Sequence, residues 1–123
     1  MRIDKVYRPE AVTCAATDPL STVAQKMVAH NVGALPVLDG NMLVGVISER
    51  DLTRALAQQT DPTGATATTF ASHDVRTAQL TDDTSEVARR MLDAGIRHLP
   101  VVHDKLVVGV ISMRDLLAVE TWL

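Results

Sequence analysis

Val44-Gly45-Val46-Ile47-Ser48-Glu49-Arg50-Asp51-Leu52 returns, 64 residues later, as Val108-Gly109-Val110-Ile111-Ser112-Met113-Arg114-Asp115-Leu116. Working outward at the same offset, Leu35-Pro36-Val37 returns as Leu99-Pro100-Val101. Further back, Thr13, Thr17, Asp18, Ser21, Val23, Ala24 and Met27 return as Thr77, Thr81, Asp82, Ser85, Val87, Ala88 and Met91. About 18 of 43 aligned positions are identical without a gap, which marks a duplicated structural unit. The period is longer than that of solenoid arrays and only two copies exist, so a closed two-fold pair is expected rather than an open stack.

Each copy carries the same local signals. Thr17-Asp18-Pro19-Leu20-Ser21 offers helix-start chemistry, and Val23, Met27 and Val28 form an apolar stripe on a helix from Thr22 to Asn31. Ala34 to Leu38 and Leu43 to Ile47 read as strands joined through Asp39-Gly40-Asn41, hence a hairpin. Ser48 starts a second helix, Glu49 to about Gln58, with Leu52 and Leu56 facing inward. A short leading strand is expected around Val12-Thr13-Cys14 and again at Val75 to Ala78. The second copy then predicts a helix from Ser85 to Ala94, strands near His98 to Val102 and Leu106 to Ile111, and a closing helix from Met113 to about Trp122. The chain divides into a first repeat with its leading segment (1–58), a polar connector with little to bury (59–69) and a second repeat (70–123), with Phe70 turning back onto the core.

With 46% hydrophobic residues in 123 but one Phe, one Trp and one Tyr, the core must be aliphatic, and a flat ligand would meet aliphatic walls. Neither half, at roughly 60 residues, is comfortable alone. A formal charge of −3 argues against a polynucleotide-binding surface. The single cysteine, Cys14, cannot close an intrachain disulfide and reads as a small core residue. His30, His73 and His103 lack metal-ligand spacing, so no metal is expected. Met27, Met42, Met91 and Met113 read as core or interface fillers, and Trp122 as a packing anchor. Without an apolar signal region in Met1-Arg2-Ile3-Asp4-Lys5 or a membrane-length apolar run, a cytoplasmic protein is expected, with no membrane partner.

Chemistry concentrates where Gly45-Val46-Ile47-Ser48 runs into the helix of Arg50 and Asp51. A helix start presents unpaired N–H groups to an anion, Ser48 and Arg50 could add donors, and the Asp51 carboxylate could accept two adjacent hydroxyls, as an acidic residue does for ribose in the dinucleotide fold. Ser112, Arg114 and Asp115 repeat the arrangement. The competing reading is structural: Ser-x-x-Asp is close to a capping box, and duplication transmits a cap as readily as a site.

The order strand, helix, Leu-Pro-Val strand, turn, Val-Gly-Val-Ile-Ser strand and Arg-Asp-Leu helix, run twice, closely resembles the cystathionine-β-synthase (CBS) domain pair, or Bateman module, over residues from about 5 to 120. The resemblance implies an α+β fold of two βαββα-like halves with pseudo-two-fold symmetry, sheets packed together and helices outside. It implies Asp51 and Asp115 at ribose hydroxyls, Ser48 and Ser112 near phosphate, and Arg50 and Arg114 as phosphate partners. It further implies clefts shared between the repeats, Asp115 facing Thr13, Ala15, Val32, Gly33 and Ala34, and Asp51 facing Thr77, Gln79, Leu80, Ile96, Arg97 and His98. Arg97-His98 stands where the first copy has Gly33-Ala34, so these two basic residues are the candidates for phosphate selectivity.

The function so implied is a non-enzymatic sensor, with no catalytic residues and no required cofactor. It would bind AMP, ADP, ATP, S-adenosylmethionine or NAD and signal to a protein partner in trans. Apolar helix positions including Leu56, Leu117 and Leu123 imply a homodimer. The rivals are a dimeric scaffold with empty or structural clefts and a weak nucleotide-processing enzyme, for which only His98 offers a base.

Overall fold

The computed structural model describes residues 1–9 and 12–120. In chain order they form a 3₁₀ turn (Ile3–Lys5), β1 (Arg8–Pro9), β2 (Cys14–Ala15), α1 (Leu20–His30), β3 (Ala34–Asp39), β4 (Met42–Ser48), α2 (Glu49–Ala57), α3 (Ala67–Phe70), β5 (Ala78–Gln79), α4 (Thr84–Ala94), β6 (His98–His103), β7 (Leu106–Ser112) and α5 (Met113–Glu120). They divide into two compact units, one spanning Val12–Val75, the other joining the described residues before 10 to those from Arg76 onward.

In the Val12–Val75 unit, β2 runs parallel to β3, and β3 pairs antiparallel with β4 from Ala34↔Ser48 to Asp39↔Met42. Gly40 supplies the positive φ of 60° that the hairpin turn needs. Alternation along β4 sends Ile47 inward against Leu35 and Val37, where Leu20, Val23 and Met27 of α1 meet them. Fully burying such a side chain contributes about 1.5–3 kcal/mol. Helix α1 ends on Asn31 in the left-handed region (φ 53°), and the Val32 N–H returns to the Met27 carbonyl at 3.0 Å. In the other unit Gly95 (φ 68°) and Ile96, whose N–H meets the Met91 carbonyl, close α4 in the same way.

The second unit has the sheet order β1-β7-β6-β5, with β5–β6–β7 repeating the register of β2–β3–β4. Ile3 is buried in its core with Val87, Met91, Leu99, Val101, Ile111 and Leu116.

The duplication extends further than residue identity does. The Ile3 N–H donates to the Asp82 carbonyl and the Asp4 N–H to Leu80, as Ala67 donates to Asp18 and Thr68 to Ala16. Arg8 pairs with Val110 on the edge of β7, as Ser72 pairs with Val46 on the edge of β4. Residues 1–9 therefore complete the second copy, and residues 65–72 complete the first. The stretch expected as a polar connector is accordingly folded. Ala67 is fully buried, Phe70 packs on the core, and the Ala65 carbonyl accepts from the Leu20 N–H.

Other expectations shift. The leading strands form one or more residues later than expected, where a parallel neighbour supplies the ladder. Val28, Leu56 and Met42 point outward, 83%, 67% and 68% exposed, whereas Met27 and Met91 are buried. The apolar stripe of α1 runs through Leu20, Val23 and Met27, so Val28 falls off its edge. Trp122 and Leu123 lie outside the described residues.

Candidate functional site

Ser48 caps α2 by a reciprocal capping box: the Asp51 N–H donates to Ser48 Oγ at 3.3 Å and the Ser48 N–H to Asp51 Oδ2 at 2.8 Å. Ser48 Oγ also donates to Oδ2 at 3.1 Å, and Arg54, three residues along the same helix, holds Oδ1 at 2.6 Å. Asp51 is buried, and both of its oxygens are engaged.

At α5 the box recurs. The Asp115 N–H donates to Ser112 Oγ at 3.0 Å and the Ser112 N–H to Asp115 Oδ2 at 3.3 Å. The cationic partner differs. Position 118, where an equivalent of Arg54 would stand, is alanine, and the guanidinium comes from Arg8 on β1. Its Nη2 lies 3.2 Å from Oδ1, and its Nε 3.4 Å from both oxygens. Burial pushes the Asp115 carboxyl up, but the Arg8 and Ser112 hydrogen bonds and the Arg8 charge outweigh it, leaving the pKa below its ordinary 3.8. Asp115 is thus an oriented, ionised acceptor.

Each helix start is braced from the β3 or β6 side: the Glu49 N–H donates to the Gly33 carbonyl at 2.9 Å and the Met113 N–H to Arg97 at 2.8 Å. Ala34 lies across the ladder from Ser48, and His98 across from Ser112. The structure therefore gathers Thr13, Ala15, Val32, Gly33, Ala34, Ser48, Arg50 and Asp51 in one unit, and Thr77, Gln79, Leu80, Ile96, Arg97, His98, Ser112, Arg114 and Asp115 in the other. Arg50, Arg97 and Arg114 are exposed, His98 half-buried. Val32 and Ile96 also have structural work, closing α1 and α4 against the core.

Sequence reasoning missed the residues that fix the β2 and β5 segments. Lys26 Nζ donates to the Thr13 carbonyl at 3.0 Å and reaches Asp18, whose carboxylate accepts the Ala15 N–H. Arg90, Thr77, Asp82 and Gln79 repeat the clamp. The signal was there: a basic residue recurs at the offset, one position before the repeated methionine. It missed Arg8 and Arg54 as well.

Cys14 is buried and its thiol pKa is pushed up to about 11, first by burial and then by Asp18, with Lys26 opposing, which makes it a poor nucleophile. Among the described residues no group of three or more His, Cys, Asp or Glu side chains could hold a metal ion, and no helix is long and apolar enough to cross a membrane.

A family profile for the CBS domain matches the chain twice, at residues 3–58 and 67–120. Protein MK0525 of Methanopyrus kandleri is 31% identical over 124 residues, covering 98% of this chain and 63% of its own length, so the chain spans less than two thirds of that relative. The CBS domain pair of protein MJ0100, solved with 5′-methylthioadenosine and S-adenosyl-L-methionine, superposes with a TM-score of 0.91 at 26% identity over 99% of this chain and 97% of that one. The CBS domain protein PAE2072 of Pyrobaculum aerophilum, complexed with AMP, gives a TM-score of 0.85 at 30% identity over 94% of this chain and 89% of its own.

Proposed function

The chain belongs to the CBS domain family, as a tandem pair of its domains, and on that premise we propose that it is a non-enzymatic regulatory module for an adenosine-containing ligand. Asp115 and Asp51 take the ribose hydroxyls in this reading, and Ser112, Ser48, Arg97, His98, Arg114 and Arg50 serve the 5′ substituent. The observation that carries it is the state of Asp115: ionised, held by the Ser112 N–H, and partly open to solvent beside the start of α5. A vicinal diol donates two hydrogen bonds to such a carboxylate.

Support also comes from the bound neighbours. 5′-Methylthioadenosine, S-adenosyl-L-methionine and AMP have adenosine in common and differ beyond the 5′ carbon. Occupancy would signal through whichever arrangement of the chain the ligand prefers, and by no more than its difference in affinity for the two. A protein partner in trans and pairing of two copies through Val28, Leu56, Leu92 and Leu117, all exposed, complete the proposal.

The test is thermal unfolding with AMP, ADP, ATP, S-adenosylmethionine, NAD and GTP at about 1 mM each. A ligand with a dissociation constant near 10 μM adds about 2.7 kcal/mol, a shift of several degrees. Such a shift with an adenosine ligand, absent with GTP and lost in Asp115→Ala, supports the reading; no shift from any of them turns it towards a dimeric scaffold.

A further inference from the structure

We propose that Arg8 is a latch on Asp115: the β1 strand holds the carboxylate that the ribose hydroxyls need, and ligand binding releases that hold. The inference rests on the adenosine reading above and adds to it a moving part.

Three observations carry it. First, the pairing joins distant parts of the sequence. Asp51 is matched by an arginine on its own helix, so breaking that pair shifts only one side chain. Asp115 is matched from β1, so breaking its pair removes a tie between that strand and the start of α5. Second, the pairing was not inherited with the duplication, since Ser72 stands in the first copy where Arg8 stands in the second, and Ala118 where Arg54 stands in the first. Third, the guanidinium covers what is left of the carboxylate. One lone pair of Oδ2 already takes the Ser112 N–H, and Arg8 spans both oxygens with its Nε and Nη2. The Asp115 side chain is 15% exposed and that of Arg8 is 69% exposed, so the arginine lies on the solvent side. A carboxylate offers about four lone-pair sites, too few for the cap, a forked guanidinium and two hydroxyls together.

An exposed ion pair of this kind is weak, which suits a contact that a metabolite must displace. The bond is exchanged without chemistry: two ribose O–H donors replace guanidinium N–H donors, and Arg8 returns to water.

The experiment compares wild type with Arg8→Gln, which keeps the alkyl stem and the backbone pairing of β1, and with Arg8→Lys, which keeps the charge but not the fork. Calorimetric titration with AMP and with 5′-methylthioadenosine is read beside hydrogen exchange of the peptide spanning residues 2–9. The latch predicts that Arg8→Gln binds both ligands about two- to fivefold more tightly, that Arg8→Lys falls between, and that saturating wild type speeds exchange in residues 2–9. Binding by Arg8→Gln alone would support it most directly. Wild-type binding with unchanged or weaker affinity in Arg8→Gln and unaltered exchange overturns the latch while leaving the adenosine reading intact. Weaker binding confined to AMP would make Arg8 a phosphate contact instead, which also overturns it. Failure of every protein to bind either ligand overturns the adenosine reading and the latch with it.

Discussion

Arg8 and Ser72 occupy the same place in the two units, each paired with the valine that follows the glycine of a Val-Gly-Val strand, Val110 and Val46. The equivalence makes residues 1–9 part of the second unit's fold rather than a tail, and the core shows what depends on it. Ile3 is fully buried among Val87, Met91, Leu99 and Ile111.

Ile3→Ala is therefore expected to cost about 2–5 kcal/mol, the range for truncating a buried aliphatic side chain. Urea unfolding measures the loss. Hydrogen exchange should place it in residues 76–120 and leave residues 12–75 protected; equal loss in both would contradict the division of the chain.

Glycine is required where those edge strands dock. A Cβ on Gly109 would strike the Arg8 carbonyl and lie 2.5 Å from the Tyr7 ring, whereas one on Gly45 would come 2.8 Å from the Ser72 carbonyl. Gly109→Ala should destabilise by about 1–3 kcal/mol and detach β1, with Gly45→Ala milder. Limited proteolysis near residue 9 reads the detachment directly.

Ser48→Ala and Ser112→Ala each remove the side-chain acceptor of a capping box. Each is expected to cost about 1 kcal/mol, because the N–H of the aspartate three residues on loses its partner. Thermal unfolding of the pair should give similar losses. A large difference between them would mean that the two caps are not equivalent despite their matching geometry.

His73 gives the first unit a dependence on pH. Its Nε2 lies 2.7 Å from the Thr68 carbonyl and its Nδ1 3.0 Å from that of Val44, and only the doubly protonated ring donates to both. The Thr68 bond, then the Val44 bond, raises its pKa above 6.5 against a small opposing effect of burial. The stability it contributes is complete below pH 6.5 and is lost as pH rises through the elevated folded value. Urea midpoints for wild type should fall across that interval, and His73→Gln should flatten the profile; parallel profiles would rule the clamp out.

Much of this architecture is legible in the sequence because its determinants are local. The hairpin around Asp39-Gly40-Asn41 and the Ser-x-x-Asp helix starts each depend on residues only a few positions apart. The capping reading and the ribose reading of Asp51 and Asp115 draw on the same carboxylates, and the observed boxes show the first without removing the second.

What escaped was the pairing of distant segments. Between residues 1 and 12 no position is identical to its counterpart 64 later, and Ile3 answers to Ala67, Tyr7 to Ala71 and Arg8 to Ser72. Backbone hydrogen bonds preserve that equivalence while side chains do not, so identity could not register it. The same blindness hid His73, whose partners are both carbonyls. It also turned residues 59–69 into a connector, since threonine-rich composition conceals one fully buried alanine.

The exchange of leading segments sets an order in time. A ribosome releases residues 65–72 directly after the sheet and helices they complete, so the Val12–Val75 unit can close as soon as its last residue emerges. Ile3, Val6 and Tyr7 are made before that unit but find their neighbours only when β7 and α5 have been synthesised. Over that interval the nascent chain carries an apolar leader with nowhere to dock. Residues 3–7 are synthesised before the Val12–Val75 unit and fold after it.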